Sequence, residues 1–432
     1  MIRGLPVASP PAMRIPALLV PLVLLATLPL APPAEAGEAD EEARRAVYAA
    51  LDPESRLVLR FLEHLGWRVE AVPNATVPEV WEGRPAEREN LDGAIAAGDL
   101  RLRVPPALDG PALEAFRALL PRVADGTASR LAWRHRVAYA TRAATAKLAE
   151  ATARGRYTFP KVLFVDSPFF RMEPPEPEWE CGRRLCRARG SAARAVEAVY
   201  VRDTVAECYV AQWLAVFAIQ YELYGAEWFD ESFRGDEIVV GRPQDVRGTP
   251  LGRFLTAEHS QGYRALLAPP ERHRDDLLLV LGEHGPGAFP GATGVVENQF
   301  EGQNSNDNFV VVSISPRALA LLRQRGGTRW LNEHLKAAWD LWVKARRDWV
   351  RGDPGTEGRR EVAEFMTDPV FDEWILYVHP YGVVPLRKIV EQRFGRVNTP
   401  VTVRLYDNGL DDALFRRYRE AFTRRVREGR EP

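Results

Sequence analysis

Seven histidines and three cysteines are the scarce reactive side chains of this 432-residue chain, and one cysteine stands where a thiol could do chemistry. Cys208 follows Asp203-Thr204-Val205-Ala206-Glu207 and opens an almost unbroken apolar segment that ends near Tyr224. Thr204 followed three residues later by Glu207 reads as a capping box, which satisfies backbone N–H groups that a first helical turn leaves unpaired. The pattern predicts a buried helix with Cys208 in its first turn. There the helix dipole and the free N–H groups favour the thiolate, the nucleophilic form of cysteine. The competing reading is a plain core residue, since cysteine is among the most buried residue types.

The other two cysteines bear on that choice. Cys181 and Cys186 lie in Trp179-Glu180-Cys181-Gly182-Arg183-Arg184-Leu185-Cys186, after the Pro-rich Glu173–Pro177. They are close enough to close a small loop as a disulfide in an oxidising compartment, which leaves Cys208 as the unpaired thiol. A metal site on the same pair would need two further ligands, and none lies nearby. If an imidazole is required, the candidates are His284, in Gly282-Glu283-His284-Gly285-Pro286, and His379, in Tyr377-Val378-His379-Pro380-Tyr381. His379 falls on an apolar strand late in the chain, where an enzyme with cysteine first and histidine second keeps its base. The histidines at 64, 135, 259, 273 and 334 sit in helical or Arg-rich surroundings and read as structural or solvated.

The amino terminus predicts export. Arg3 and Arg14 precede the apolar run Ala17–Ala31, and Ala34-Glu35-Ala36 is a small-x-small site that a signal peptidase could cut before Gly37. The run is broken by Pro21 and Pro29 and is too short to span a bilayer. Residues 1–36 are therefore read as a signal peptide, and the mature protein as secreted or periplasmic. The apolar helix after Cys208 carries Gln212, Gln220 and Glu222, which a lipid-facing helix would bury at a cost of several kcal/mol, so no membrane span is expected. With 58 Lys and Arg against 59 Asp and Glu, nothing points to bulk binding of nucleic acid.

Several elements must position these residues. Residues 37–155 read as a helical N-terminal region, with apolar residues at three- and four-residue spacing in Val47–Trp67 and Leu113–Leu148 and a Pro-containing stretch of loops and short extended pieces between them. Residues 156–327 read as the core: the Cys208 helix, then strands at Asp276–Leu281, at Val295–Phe300 and, after a polar loop Glu301–Asn308, at Phe309–Ile314. Residues 328–432 read as an α/β extension, with a long amphipathic helix over Trp330–Val350, strands at Glu373–His379 and Thr399–Leu405, and a terminal helix with a basic end over Asp411–Val426. One buried helix with a cysteine at its start, followed by strands, is an α+β arrangement of the papain-like kind.

Ala206-Glu207-Cys208 heading an apolar helix, Phe229-Asp230-Glu231-Ser232-Phe233, Asp276–Val280, Glu297-Asn298 and Asn306-Asp307 before a strand ending at Ile314 follow one another in an order that resembles the small spore-coat transglutaminases of Bacillus. The resemblance covers roughly Ala192–Arg325 and is most specific at Glu207-Cys208 and Glu297-Asn298. It implies a stripped-down NlpC/P60-like cysteine-enzyme core that joins a glutamine side chain to a lysine amine. Carried over, Cys208 would be the nucleophile, Glu297 its main partner and Glu207 a second acidic residue beside the thiol. The family keeps a histidine on the strand after the Glu-Asn motif, whereas Phe309-Val310-Val311-Val312-Ser313-Ile314 has none.

The chemistry follows from the groups themselves. A thiolate attacks the carboxamide carbon, ammonia leaves, and a thioester remains for a lysine amine to attack. A carboxyl beside the thiol, its pKa raised by desolvation, can both protonate the departing amine and take a proton from the incoming one. The expected substrates are protein Gln and Lys side chains, envelope proteins among them, with no cofactor and no metal. Two alternatives stand beside this reading. One is a peptidase or peptidoglycan amide hydrolase using Cys208 and His379; the other is a non-catalytic envelope protein on the same fold.

Overall fold

The computed structural model describes residues 38–82, 100–160, 172–173, 177–182, 185–241, 291–298, 306–350, 367–394, 401–405 and 410–430. The signal segment, His284 and the strand expected over 276–281 lie outside the described residues.

The architecture is mixed α and β. The N-terminal region is not wholly helical. Helices Glu38–Ala50 and Pro53–His64 are followed by β1 (Trp67–Ala71), β2 (Glu79–Glu82) and β3 (Leu100–Val104), which form one sheet with β3 in the middle. In β3 Leu100, Leu102 and Val104 are buried while the two arginines between them are half-buried, the period-two pattern of a sheet with one covered face. Pro53 opens the second helix and the Asp52 carboxylate accepts from the Ser55 amide at 2.9 Å, a side-chain N-cap. Helices Gly110–Ala124 and Thr127–Ala153 complete the region.

Short strands come next: β4 (Tyr157–Thr158), β5 (Met172–Glu173), β6 (Trp179–Cys181) and β7 (Leu185–Ala188). After the helix Ala192–Val201, β8 (Thr204–Ala206) runs between β4 and β5 and leads into the helix Cys208–Tyr224. This cysteine helix is buried nearly all round, with Ala211, Ala215 and Ala218 admitting close neighbours and Leu214 and Phe217 filling the gaps. It ends at Gly225, whose φ of +77° is a conformation that glycine adopts without strain. The long Thr127–Ala153 helix packs along it, and Lys147 Nζ meets Glu222 Oε1 at 2.6 Å. Among the described residues no helix is long and apolar enough to cross a membrane.

After helix Ala226–Ser232, β9 (Val239–Gly241) pairs with β7. The main sheet then assembles from β10 (Thr293–Asn298), β11 (Asn306–Ile314), β12 (Trp374–Val378), β13 (Gly382–Pro385) and β14 (Val401–Leu405), in the order β13-β12-β11-β10-β14 with every pair antiparallel. Its strands come from both sides of position 327. One face carries Val310, Val312 and Tyr377 against a core that runs from Val47 through the cysteine helix to Val426. The other carries Val296, Phe309, Val311, Leu376 and Val378 against the helices Pro316–Arg325, Gly327–Val350 and Leu386–Phe394. The terminal helix Leu410–Arg427 closes the first core: Phe422 lies 5.3 Å from Phe61, and Arg417 meets Glu237 at 2.9 Å.

Candidate active site around Cys208

β8 carries the chain straight to the thiol. Glu207 is the N-cap residue, in an extended conformation, and Cys208 is the first residue of its helix. The expected capping box does not form. Thr204 is buried in β8 opposite Tyr157, its hydroxyl directed to the Arg202 carbonyl at 3.4 Å, and the Glu207 side chain makes no cap hydrogen bond. A β-branched residue beside a strand partner goes to the sheet, which removes the first half of the box.

Cys208 stands outside any disulfide, and Cys181 and Cys186 form one, directly opposite each other in the β6–β7 hairpin with Cα atoms 4.0 Å apart. Asn308 Nδ2 donates to Cys208 Sγ at 3.2 Å, and Glu207 Oε2 lies 3.9 Å from the same sulfur. Both Glu207 and Cys208 keep part of their surface open to solvent, while protein closes around the thiol and carboxyl on the remaining sides. That enclosure dominates their electrostatics. Burial pushes the thiol up to about 12, the Glu207 charge adds to the rise, and the Asn308 donors oppose it. The helix start does not make Cys208 a resting thiolate, because desolvation outweighs the dipole. Burial likewise pushes Glu207 up to about 7, against the Tyr209 and Val210 amides, which favour its charged form without completing a cap. At neutral pH the pair is a protonated thiol beside a carboxyl poised to take or give a proton.

His379 ends β12 and joins Pro380 through a cis peptide bond. Val378 pairs with Phe309, so one further step along the two strands brings His379 level with Asn308. The imidazole is buried with its ring centre 4.2 Å from that of Tyr157. The Thr158 and Ala206 carbonyls lie beside it and favour its charged form, though neither makes a hydrogen bond of full geometry. Burial prevails and pushes His379 down to about 4, so it is neutral at pH 7. Ala206 is two residues before Cys208, which brings His379 to the segment that carries the thiol.

The register of β10 places Val295 opposite Asn308 and Glu297 opposite Asn306. Position 297 thus shares the strand parity of Val295 and lies at the end of the sheet where Asn308 and His379 stand; its side chain is outside the described residues. The structure therefore sets Glu207 against Cys208, brings His379 to the Ala206 backbone two residues before the thiol, sets the backbone of Glu297 on the adjoining strand, and leaves His284 outside the described residues.

Two residues escaped the sequence reading of the site. Asn308 reads as the end of a polar loop in the sequence, but β11 begins at Asn306, and Asn308, Val310 and Val312 alternate toward the cysteine helix. That alternation, continued back through the polar residues, is the signal for it. Gln212 was read only as a mark against a membrane span. It is buried, one helical turn after Cys208, and its amide donates to both the Gly294 and Phe309 carbonyls.

Among the described residues no group of three or more His, Cys, Asp or Glu side chains is gathered as a metal site would need. Neither family models, nor curated proteins, nor solved structures give a match to this chain.

Proposed function

We propose that this chain is an exported thiol acyltransferase of the transglutaminase type, which forms a thioester from a glutamine carboxamide on Cys208 and passes the acyl group to a primary amine. The observation that carries the reading is the thiol at the helix start, in contact with the Asn308 amide at 3.2 Å and with the Glu207 carboxyl at 3.9 Å. A thiol pushed up to about 12 needs a base at the moment of attack, and a carboxyl near 7 is matched to that task at neutral pH.

The steps balance on these groups. The Glu207 carboxylate takes the thiol proton as sulfur attacks the carboxamide carbon. It then returns the proton to the leaving nitrogen, which departs as ammonia when the C–N bond breaks. In the second half the amine attacks the thioester carbon, Glu207 takes one amine proton, and that proton goes to the departing sulfur. Asn308 holds the sulfur through its N–H donor. Export rests on the Arg3–Ala36 segment, and the papain-like description of the core on the order of a cysteine helix followed by antiparallel strands.

A second reading is favoured by a specific feature, the convergence of His379 on the Cys208 segment. With His379 as base and water as acceptor, the same thioester would be hydrolysed, as in a peptide or peptidoglycan amidase. Incorporation of a fluorescent primary amine into a glutamine-rich acceptor protein separates the two. Transfer that is lost in Cys208→Ala and lowered about 100-fold or more in Glu207→Gln supports the acyltransferase. Amide hydrolysis without amine incorporation, lost in His379→Ala and retained in Glu207→Gln, would replace it with the hydrolase.

A further inference from the structure

We infer that Gln212 is a positioning residue that fixes the contact between Cys208 and Asn308 by tying the cysteine helix across two strands of the main sheet. The inference rests on the acyltransferase reading only in what it says the contact is for.

The geometry is specific. Gln212 Nε2 lies 2.8 Å from the Gly294 carbonyl of β10 and 2.7 Å from the Phe309 carbonyl of β11. Gly294 and Phe309 are themselves partners in the β10–β11 ladder, so one side-chain amide spans a single rung. Phe309 is the residue after Asn308, and Gln212 follows Cys208 by one helical turn. The staple and the Asn308–Cys208 contact are therefore neighbouring links between the same helix and the same strand.

Chemistry explains why an amide, and not an aliphatic residue, stands at 212. By helical spacing the side of the cysteine helix that carries Cys208 and Gln212 also carries Ala211, Ala215 and Ile219, all buried, and apolar packing of that kind is non-directional. Non-directional packing does not by itself define the angle at which the Asn308 amide meets Sγ. A hydrogen bond to Sγ weakens steeply with distance and angle, so the Asn308 contact needs a directional tie close by. Two N–H groups of one planar amide, each aimed at a different strand, define both the position and the roll of the helix. A buried amide costs stability unless its donors are met, and here one rung of the ladder meets both.

The test is the rate at which iodoacetamide alkylates Cys208, the cysteine outside the disulfide, at pH 8, with Asn308→Ala crossed against Gln212→Leu. Loss of the Asn308 hydrogen bond lowers the thiolate fraction, so Gln212→Leu alone is expected to slow alkylation about threefold to tenfold. On the Asn308→Ala background the same change is expected to have no further effect. An unchanged or faster rate in the single variant, or equal slowing on both backgrounds, overturns the inference, because Gln212 would then act on the fold at large. Gln212→Met, which keeps the length of the side chain without its donors, repeats the cycle should Gln212→Leu lose its cooperative melt. Alkylation needs no acceptor protein, so a wild type that transfers no amine would refute the proposed function while leaving this result readable.

Discussion

The two faces of the five-stranded sheet are built to different ends. On one, Val296, Phe309, Val311, Leu376, Val378, Val401 and Val403 are all buried against Leu319, Leu322, Leu331, Leu335 and Ile389, with the Asn332 side chain bonded to the Val403 backbone beside them. On the other, Val310, Val312 and Tyr377 begin as ordinary core, but toward one end of the sheet Asn308 and His379 take over, and Gln212 reaches in from the helix. The strands are shared, so the difference lies in alternate residues of the same sequence. The apolar face turns buried area into stability. The cysteine face holds groups that must each be met by a partner, and it meets them incompletely: the Tyr377 hydroxyl and both His379 nitrogens lack a hydrogen bond of full geometry.

The contrast is broken most directly from the apolar side. Phe309→Ala empties a fully buried position in the apolar cluster and is expected to cost about 3–5 kcal/mol of unfolding free energy. Denaturant titration with an unchanged slope reads it. A loss below about 1 kcal/mol would mean that this face does not carry the stability assigned to it.

On the cysteine face the expected sign is opposite. The Glu207 carboxyl, raised from 4.5 to about 7, has a folded value above its unfolded one. Its contribution therefore favours folding below pH 4.5 and is lost as pH rises through 7. Above pH 7 the wild type carries a charged carboxylate in a site that disfavours it. Glu207→Gln has no charge to desolvate there, so it is expected to be more stable than wild type at pH 8–9 by on the order of 1–3 kcal/mol, with the two converging near pH 4. The same substitution should abolish the rise in amine transfer that the wild type shows through about pH 7. A variant that gains stability while losing transfer identifies a group kept for chemistry. Equal stability at all pH values would place Glu207 in open solvent and remove it as the base.

How far the sequence reveals this arrangement depends on the face as well. The cysteine helix, the strand through Phe309–Ile314, the long helix up to Val350 and the terminal helix are legible, because each combines a sustained apolar pattern with clear punctuation. The sheet of β1, β2 and β3 is not, since strands of four or five residues interrupted by charged side chains and set among prolines look like loop. Asn308 was hidden for a related reason: Asn306-Asp307-Asn308 is a turn by composition, and only its pairing with β10 makes it strand. The partners of His379 could not be read at all. Tyr157, Thr158 and Ala206 reach it through β4 and β8, far away in the chain. The sequence points the thiol toward the thiolate and the structure the other way, because position in a helix can be counted along a sequence, whereas the protein packed around the sulfur cannot.

Asn308 gives the finest test of the comparison, since its effect is small and its sign can be set by choice. Its side-chain amide opposes the rise in the thiol together with its own backbone N–H, while Glu207 and Asp307 both act the other way. Asn308→Ala removes the donor and should slow alkylation of Cys208 about threefold to tenfold at pH 8, the effect of one hydrogen bond to the thiolate. Asn308→Asp places a second carboxylate against the sulfur and should slow it further, because like charges raise the thiol pKa. Asn308→His supplies a group that can carry positive charge on the strand where the spore-coat enzymes keep a histidine, and should quicken alkylation at pH 6–7 by favouring the thiolate. The order His, Asn, Ala, Asp from fastest to slowest is what a donor in direct contact with the sulfur demands. A flat series would show that the strand only lies near the thiol, and the division between the two faces would then end at Cys208 and Glu207.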